Sequence, residues 1–288
     1  MTENRVTVVV ATRDRRDELR RTLSHLGDLS SPPPVVVVDN GSTDGTGEAV
    51  RTEFPDVVLV EHDHNLGCAA RNTGVARART PYVAFSDDDS WWEDGALEAA
   101  ADAFDAHPRL GLVAAAVLVG ADDRPDPVNT DLARSPLPAA EDLPGPRVLG
   151  FLACAAVVRR SAFVQAGGFD PLLFFGGEEA LLAQDLAALG WGLSHLPQVR
   201  AHHHPSSQRP PSAWRRRLEA RNALLAAWLR RRPGVALART ARAARSSLRE
   251  PDSRAALTGA LRLMPRAVAG RRPLPARVER DLALLESR

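Results

Sequence analysis

Val35-Val36-Val37-Val38-Asp39-Asn40-Gly41-Ser42-Thr43-Asp44-Gly45 is an unbroken valine run that stops abruptly in turn-forming residues. A strand with one wet face alternates apolar and polar positions, whereas a run without alternation is buried on both faces, as in a parallel sheet covered by helices. Working outward, residues 6–12 form a similar β-branched run, and residues 15–26 place Leu19, Leu23 and Leu26 at helical spacing before Pro32, Pro33 and Pro34 break the chain. A short helix is expected after Gly45, a strand over 57–60, a helix over 68–78 and a strand over 82–86. A helix over 94–106 and a strand over 110–119 follow. Alternation of this kind predicts a Rossmann-type α/β fold, a mainly parallel sheet with right-handed crossovers.

In such sheets ligands bind beyond the carboxyl ends of the strands. Three of the expected strands end in polar groups there: Thr12-Arg13-Asp14, Asp39-Asn40 and Asp87-Asp88-Asp89. Three adjacent carboxylates repel one another, and a hard divalent cation with oxygen ligands would relieve that repulsion while bridging to a diphosphate. An acidic loop capping the next helix explains the triplet alone equally well. Asp39 offers an acceptor-only carboxylate to a base N–H or to ribose hydroxyls, although the segment after it also reads as an Asx-type turn. Gly41, Gly45 and Gly47 lack the G-x-G-x-x-G spacing and follow the second strand, which disfavours dinucleotide binding and hydride transfer.

Four motifs now stand in order: residues 8–15, residues 37–46, Asn65-Leu66-Gly67 with Ala70-Arg71-Asn72-Thr73-Gly74, and Phe85-Ser86-Asp87-Asp88-Asp89. Together they resemble the family 2 glycosyltransferases, inverting enzymes of the GT-A fold. The resemblance continues through Arg159-Arg160-Ser161, Gly167-Gly168-Phe169-Asp170 and Gly177-Glu178-Glu179 to Gly190-Trp191, covering roughly residues 5–205. It implies a nucleoside-diphosphate sugar donor (UDP-, dTDP- or GDP-), Mg2+ or Mn2+, and a carbohydrate, lipid-linked or metabolite acceptor. By resemblance Ala11, Thr12 and Arg13 line the nucleotide pocket and Asp39 holds the base. Asn40, Ser42, Asp44, Asn65, Gly67, Arg71, Asn72, Asp87 and Asp88 belong to the substrate site on the same ground, with a plain helix-surface role the alternative for Arg71. Asp89 is the expected first metal ligand, Asp87 the second or a ribose contact, and His203 of the His202-His203-His204 loop completes the set. Glu179 would be the general base that takes the acceptor proton, with Glu178 beside it in acceptor binding; dipole partners at a helix start are the alternative.

Two departures fall in the acceptor half: the acidic pair is Glu-Glu rather than Glu-Asp, and Leu181-Leu182 stands where the family has Asp-Leu. Trp91 and Trp92 either stack on a sugar ring or fill the core. Residues 121–146, rich in Pro, Asp and Ala, are expected to be a surface loop, 151–158 a buried strand, and 178–189 a helix.

The chain has no lysine, and its net charge of +1 hides an asymmetry. Residues 1–204 hold 17 Arg against 30 Asp/Glu, and residues 205–288 hold 20 Arg against 6. The boundary at 204/205 therefore separates an expected catalytic domain from an Arg-rich helical region. In that region, residues 213–232 carry Arg215-Arg216-Arg217 and Arg230-Arg231-Arg232 around an apolar segment. That pattern suits an anionic membrane surface, and pairing with the acidic domain explains it as well. Nucleic acid is not expected, because no recognition motif accompanies the charge. The start of the chain lacks a secretory pattern, no apolar run has membrane-spanning length, and two cysteines are too few for a disulfide framework. A cytoplasmic protein, peripheral to the membrane if the basic tail reaches it, is the expectation. Competing classes are a nucleotidyltransferase, for which the Gly-rich basic loop after the first strand is missing, a non-catalytic sugar-nucleotide module, and a membrane scaffold.

Overall fold

The computed structural model describes residues 4–206 and 211–287. The first four strands, β1 (Val6–Thr12), β2 (Val35–Asp39), β3 (Val58–Glu61) and β4 (Tyr82–Asp87), are parallel and ordered β3-β2-β1-β4. Helices α1 (Arg16–Gly27), α2 (Thr46–Glu53) and α3 (Ala70–Arg77) cross between them. All five residues of β2 are buried, as a run without alternation requires. The register pairs Thr12 with Asp39 and Ala11 with Asp87, so the polar ends of β2, β1 and β4 meet at one edge.

Beyond β4 the sheet becomes mixed, a departure from the mainly parallel expectation. Short β5 (Ser90–Trp92) and helix α4 (Ala96–Ala106) lead into β6 (Leu110–Val119), which pairs with the two-residue β7 (Arg124–Pro125). Helix α5 (Pro127–Ala133) lies inside the segment expected to be a surface loop, and Leu132, Leu137 and Leu143 of that segment are buried. The strand expected over 151–158 is confined to β8 (Ala156–Arg159), preceded by a 3-10 turn over Ala153–Ala155; β8 runs antiparallel between β4 and β6. After α6 (Arg160–Ala166) and α7 (Glu178–Ala188), a strand with no counterpart in the expectations, β9 (Gly192–His203), pairs parallel to β6 and antiparallel to β5. His202 and His203 therefore belong to a strand rather than to a loop. Among the described residues the nine strands form one sheet in the order β3-β2-β1-β4-β8-β6-β9-β5, with β7 on β6.

Helices α8 (Ser212–Arg230), α9 (Pro233–Ser247), α10 (Pro251–Ala269) and α11 (Ala276–Glu286) form a layer against α7. Leu181, at the position where the family pattern has an acid, is 1% exposed and packs with Leu173, Leu224, Leu225 and Leu229. The departure from the pattern thus has a packing reason: this residue joins α7 to α8. One turn further on, Asp185 receives the buried Arg230 guanidinium in a two-pronged ion pair (Nη2 to Oδ2, 2.9 Å). Arg231 is likewise buried and paired with Glu279 at 3.0 Å and with Glu286. The second arginine triplet is therefore largely internal, and of its two readings the Arg230–Asp185 pair favours internal pairing there. No helix among the described residues is long and apolar enough to cross a membrane.

Candidate active site

At the carboxyl edge, the loops after β1 and β2 are stitched together by short polar side chains. Asp14, in the left-handed region at φ 50°, accepts the Thr43 N–H at 2.7 Å, and its own N–H donates to Ser42 Oγ at 2.9 Å. Arg16 N–H donates to Asp44 Oδ2 at 3.1 Å, and Ser42 N–H to Asp39 Oδ1 at 2.9 Å. Asn40 donates to Gly67 O at 3.1 Å and accepts from Leu66 N–H at 2.7 Å, while Asn65 Oδ1 accepts from Gly67 N–H. Asn72 clamps Phe169 from both sides, donating to its carbonyl at 2.8 Å and accepting from its N–H at 2.9 Å. Asn40, Ser42, Asp44 and Asn72, expected at the substrate site, bond to protein backbone here. Buried or half-buried backbone groups must be paired, and these residues supply the partners. Gly67 has a steric reason for its identity, because a Cβ there would lie 2.1 Å from the Phe174 carbonyl.

The Asp87-Asp88-Asp89 triplet divides into three environments. Asp87 is held by Arg71, whose guanidinium is largely enclosed. Asp88, 6% exposed, accepts from Thr12 Oγ1 at 3.1 Å and from Arg15 Nη1 at 3.0 Å, and burial pushes its carboxyl up to about 7 against the pull of Arg15. Asp89, 2% exposed, faces His203 Nε2 at 3.4 Å and accepts from Ser206 N–H at 2.9 Å. Burial alone would raise Asp89, but His203, Ser206 and Arg15 outweigh it and hold the carboxyl below the ordinary carboxylate range.

Asp89 and His203 are the two expected metal ligands that the fold brings together. One hard oxygen donor and one imidazole, brought together because Asp89 directly precedes β5 and the register pairs Ser90 with His203, suit a divalent cation that takes its other ligands from a diphosphate and water. No group of three or more His, Cys, Asp or Glu side chains able to hold a metal occurs among the described residues. Asp87, expected as a second ligand or a ribose contact, is engaged by Arg71.

Across Arg71 lie Glu178 and Glu179, at the first turn of α7. Glu178 is 4% exposed, with Oε2 buried and unpartnered, and its charge acts on Glu179 and Arg71. Glu179 is partly exposed, yet enclosed enough that burial, followed by the Glu178 charge, pushes it up to about 7. Trp92, expected among the sugar contacts, is 1% exposed and packs in the core, and Trp91 is also buried, stacked on His25 with ring centroids 4.0 Å apart. Both tryptophans are core residues rather than sugar platforms. Arg13 is exposed and Ala11 half-exposed at the same edge.

Two site-forming residues were not anticipated. Arg15 sits between Asp88 and Asp89. Asn222, 1% exposed on α8, donates through Nδ2 to the carbonyls of Leu173, Phe175 and Gly176 at 2.8, 2.9 and 2.6 Å, immediately before the Glu pair. A signal for it existed: an amide in step with Leu218 and Leu225 on the apolar face of a helix has to find partners.

Residues 7–166 match the family model described as "Glycosyl transferase family 2". Among curated proteins, the N-acetylglucosaminyl-diphospho-decaprenol L-rhamnosyltransferase of Mycobacterium tuberculosis is 31% identical over 241 residues, covering 72% of this chain and 78% of that protein. The pre-mycofactocin glycosyltransferase of the same organism is 33% identical over 215 residues, covering 71% of this chain but 44% of that protein. Among solved structures, the mannosyltransferase PcManGT from Pyrobaculum calidifontis, in complex with GDP-Man and Mn2+, superposes with a TM-score of 0.60 at 22% identity, over 99% of this chain and 76% of that one. S. aureus TarS 1-349 in complex with UDP-GlcNAc gives 0.59 at 19% identity, over 77% and 66%. At these identities the structural likeness establishes the fold.

Proposed function

The chain belongs to glycosyltransferase family 2 and is a glycosyltransferase, and on that premise we propose that it transfers a sugar, with inversion, from a nucleoside-diphosphate sugar to a hydroxyl of a lipid-linked acceptor. The observation that carries the reading is the contrast between two carboxylates. Asp89, facing His203, is held below the ordinary range and forms a cation-ready pair, whereas Glu179 is a partly exposed carboxyl with a raised pKa. An inverting displacement needs both, an anchor for the departing diphosphate and a single base for the incoming hydroxyl.

In this reading Ala11, Thr12 and Arg13 border the nucleotide, and Asp39, fixed by Ser42 N–H, faces the base. Arg71 holds Asp87 in place and lends positive charge between the donor and acceptor sides. Mg2+ or Mn2+ held by Asp89 and His203 would neutralise charge on the leaving diphosphate. Glu179 accepts the acceptor proton as the acceptor oxygen bonds to the anomeric carbon and the bond from that carbon to the diphosphate breaks. Its raised pKa suits it to take up that proton near neutral pH. The lipid-linked acceptor is favoured over a small metabolite because the decaprenol-linked relative is matched over most of its length and the pre-mycofactocin relative over less than half.

The test is calorimetric titration of UDP, dTDP and GDP, each with and without Mn2+, into wild type and Asp89→Ala. One nucleotide should bind in a metal-dependent way, and that binding should vanish in the variant. Failure of all three nucleotides to bind the folded wild-type protein would sink the donor assignment.

A further inference from the structure

The C-terminal helices carry a charge pattern that the transfer chemistry does not use. From Arg232 to Arg249 there are five arginines and no Asp or Glu, and from Arg254 to Arg277 six arginines and none. Helix α9, besides the apolar residues it buries or turns to the groove below, carries a second apolar stripe that is exposed. Leu237, Ala241, Ala244 and Leu248 follow i, i+4, i+7, i+11 spacing, which is one stripe of a helix. All four are exposed, Leu237 at 57% and Leu248 at 79%. Arg242, Arg245 and Arg249 run alongside that stripe, also exposed and without an ion pair among the described residues. Helix α10 repeats the arrangement with Leu261 and Val268, 53% and 48% exposed, beside Arg262 and Arg266. Between α8, α9 and α10 lies a groove of about 770 Å3 lined by Leu224, Val235, Ala238, Ala243 and Leu257, with Arg242 among its walls.

We propose that the outer faces of α9 and α10 form a docking surface for an anionic phospholipid bilayer. Positive charge alone would serve a nucleic acid as well, but a phosphate backbone offers nothing to exposed leucines. A bilayer interface takes both: arginines at the headgroup level and leucines among the upper acyl carbons. The first arginine triplet differs, since Arg217 is paired with Asp252 at 2.7 Å, and the second is buried in Arg230 and Arg231. The unpaired charge is therefore concentrated on α9 and α10. Because Asn222 and Arg230 bond the helical layer to the segment 173–185, docking would set the Glu179 end of the cleft at a fixed attitude to the membrane. The surface stands apart from the donor site, and its failure would leave the transferase reading intact.

The experiment is co-sedimentation of the full chain with vesicles of phosphatidylglycerol and phosphatidylcholine, and with phosphatidylcholine alone, at low and high salt. Two variants accompany wild type: Arg242→Glu/Arg245→Glu/Arg249→Glu, and Leu237→Ser/Leu248→Ser, which keeps every charge. Wild type should sediment with the anionic vesicles at low salt and not with the neutral ones. The charge-reversed variant should bind at least about a hundredfold more weakly, and the leucine variant about tenfold or more weakly with its arginines intact. Both should keep the nucleotide affinity of wild type, which separates docking from donor binding. Absence of wild-type sedimentation, or sedimentation unchanged by the arginine reversal, would overturn the proposal. Equal binding by wild type and the leucine variant, together with tight retention of duplex DNA, would replace it with a nucleic-acid surface.

Discussion

The edge formed by β1, β2 and β4 and the segment leading into α7 supply the two halves of the proposed site, but they are built in opposite ways. On the donor side, neighbouring loops hold each other: Asp14 with Ser42 and Thr43, Arg16 with Asp44, Asn40 with Leu66 and Gly67. Adjacent parallel strands bring those residues together whatever else the chain does. On the acceptor side, Leu173, Phe175 and Gly176 are held by Asn222 of a helix that follows the whole sheet. The geometry proposed for the donor is thus a property of the sheet, while that proposed for the acceptor is borrowed from the helical layer. Function should separate along the same line, with donor affinity surviving changes that stop turnover.

The largest effect expected is that of Glu179→Gln. Turnover should fall by about 10^2 to 10^4-fold, the usual contribution of a positioned general base, while calorimetry shows nucleotide affinity unchanged. Turnover at wild-type rates would instead favour a different base or a non-catalytic binding module. Asn222→Ala tests the borrowed geometry. It takes a donor from the Phe175 and Gly176 carbonyls, while Leu173 O keeps Arg221, and removing one partner of buried polar groups costs about 1–3 kcal/mol. Denaturant unfolding should report that loss, and turnover should drop with donor affinity retained; a parallel loss of nucleotide binding would erase the distinction between the two sides.

The smallest effect lies in the pH profile. Burial first, then the Glu178 charge, raise Glu179 to about 7, with Arg71 opposing and Asp87 adding to the rise. A base works only when ionised, so the rate should climb as pH rises through about 7 rather than through the ordinary glutamate range. Glu178→Gln removes a neighbouring negative charge, so the limb should move to lower pH. A limb that stays put would show that burial alone sets the value.

The parallel core was legible because its signals are local. An all-valine run such as 35–38 can only be buried on both faces, and an Asp or Asn directly after it must lie at the edge. Strand β9 was not legible. Its sequence, Gly192-Leu193-Ser194-His195-Leu196-Pro197-Gln198-Val199-Arg200-Ala201-His202-His203, lacks clean alternation and has a proline inside, which reads against a strand. In the fold the register against β6 shifts between Ala115 and Ala116, and this irregularity accommodates the proline-containing segment. The backbone bonds of Asn40 and Asn72 were not legible for a related reason: residue type and position mark a polar side chain as near the site, but not which backbone groups it holds.

By itself the amino-acid sequence determined the α/β class, the strand ends that carry carboxylates, the family and the charge division near residue 204, because each depends on periodicity, spacing or composition along a short stretch. Only the tertiary structure decided that Asp89 meets His203 while Asp87 meets Arg71, that Trp92 is core, that Arg230 and Arg231 are internal, and that Asn222 holds the approach to Glu179. Those outcomes rest on competition for hydrogen bonds and burial among residues far apart in the chain. The winner of such a competition is set by which groups the packed sheet and helices leave within about 3 Å of one another.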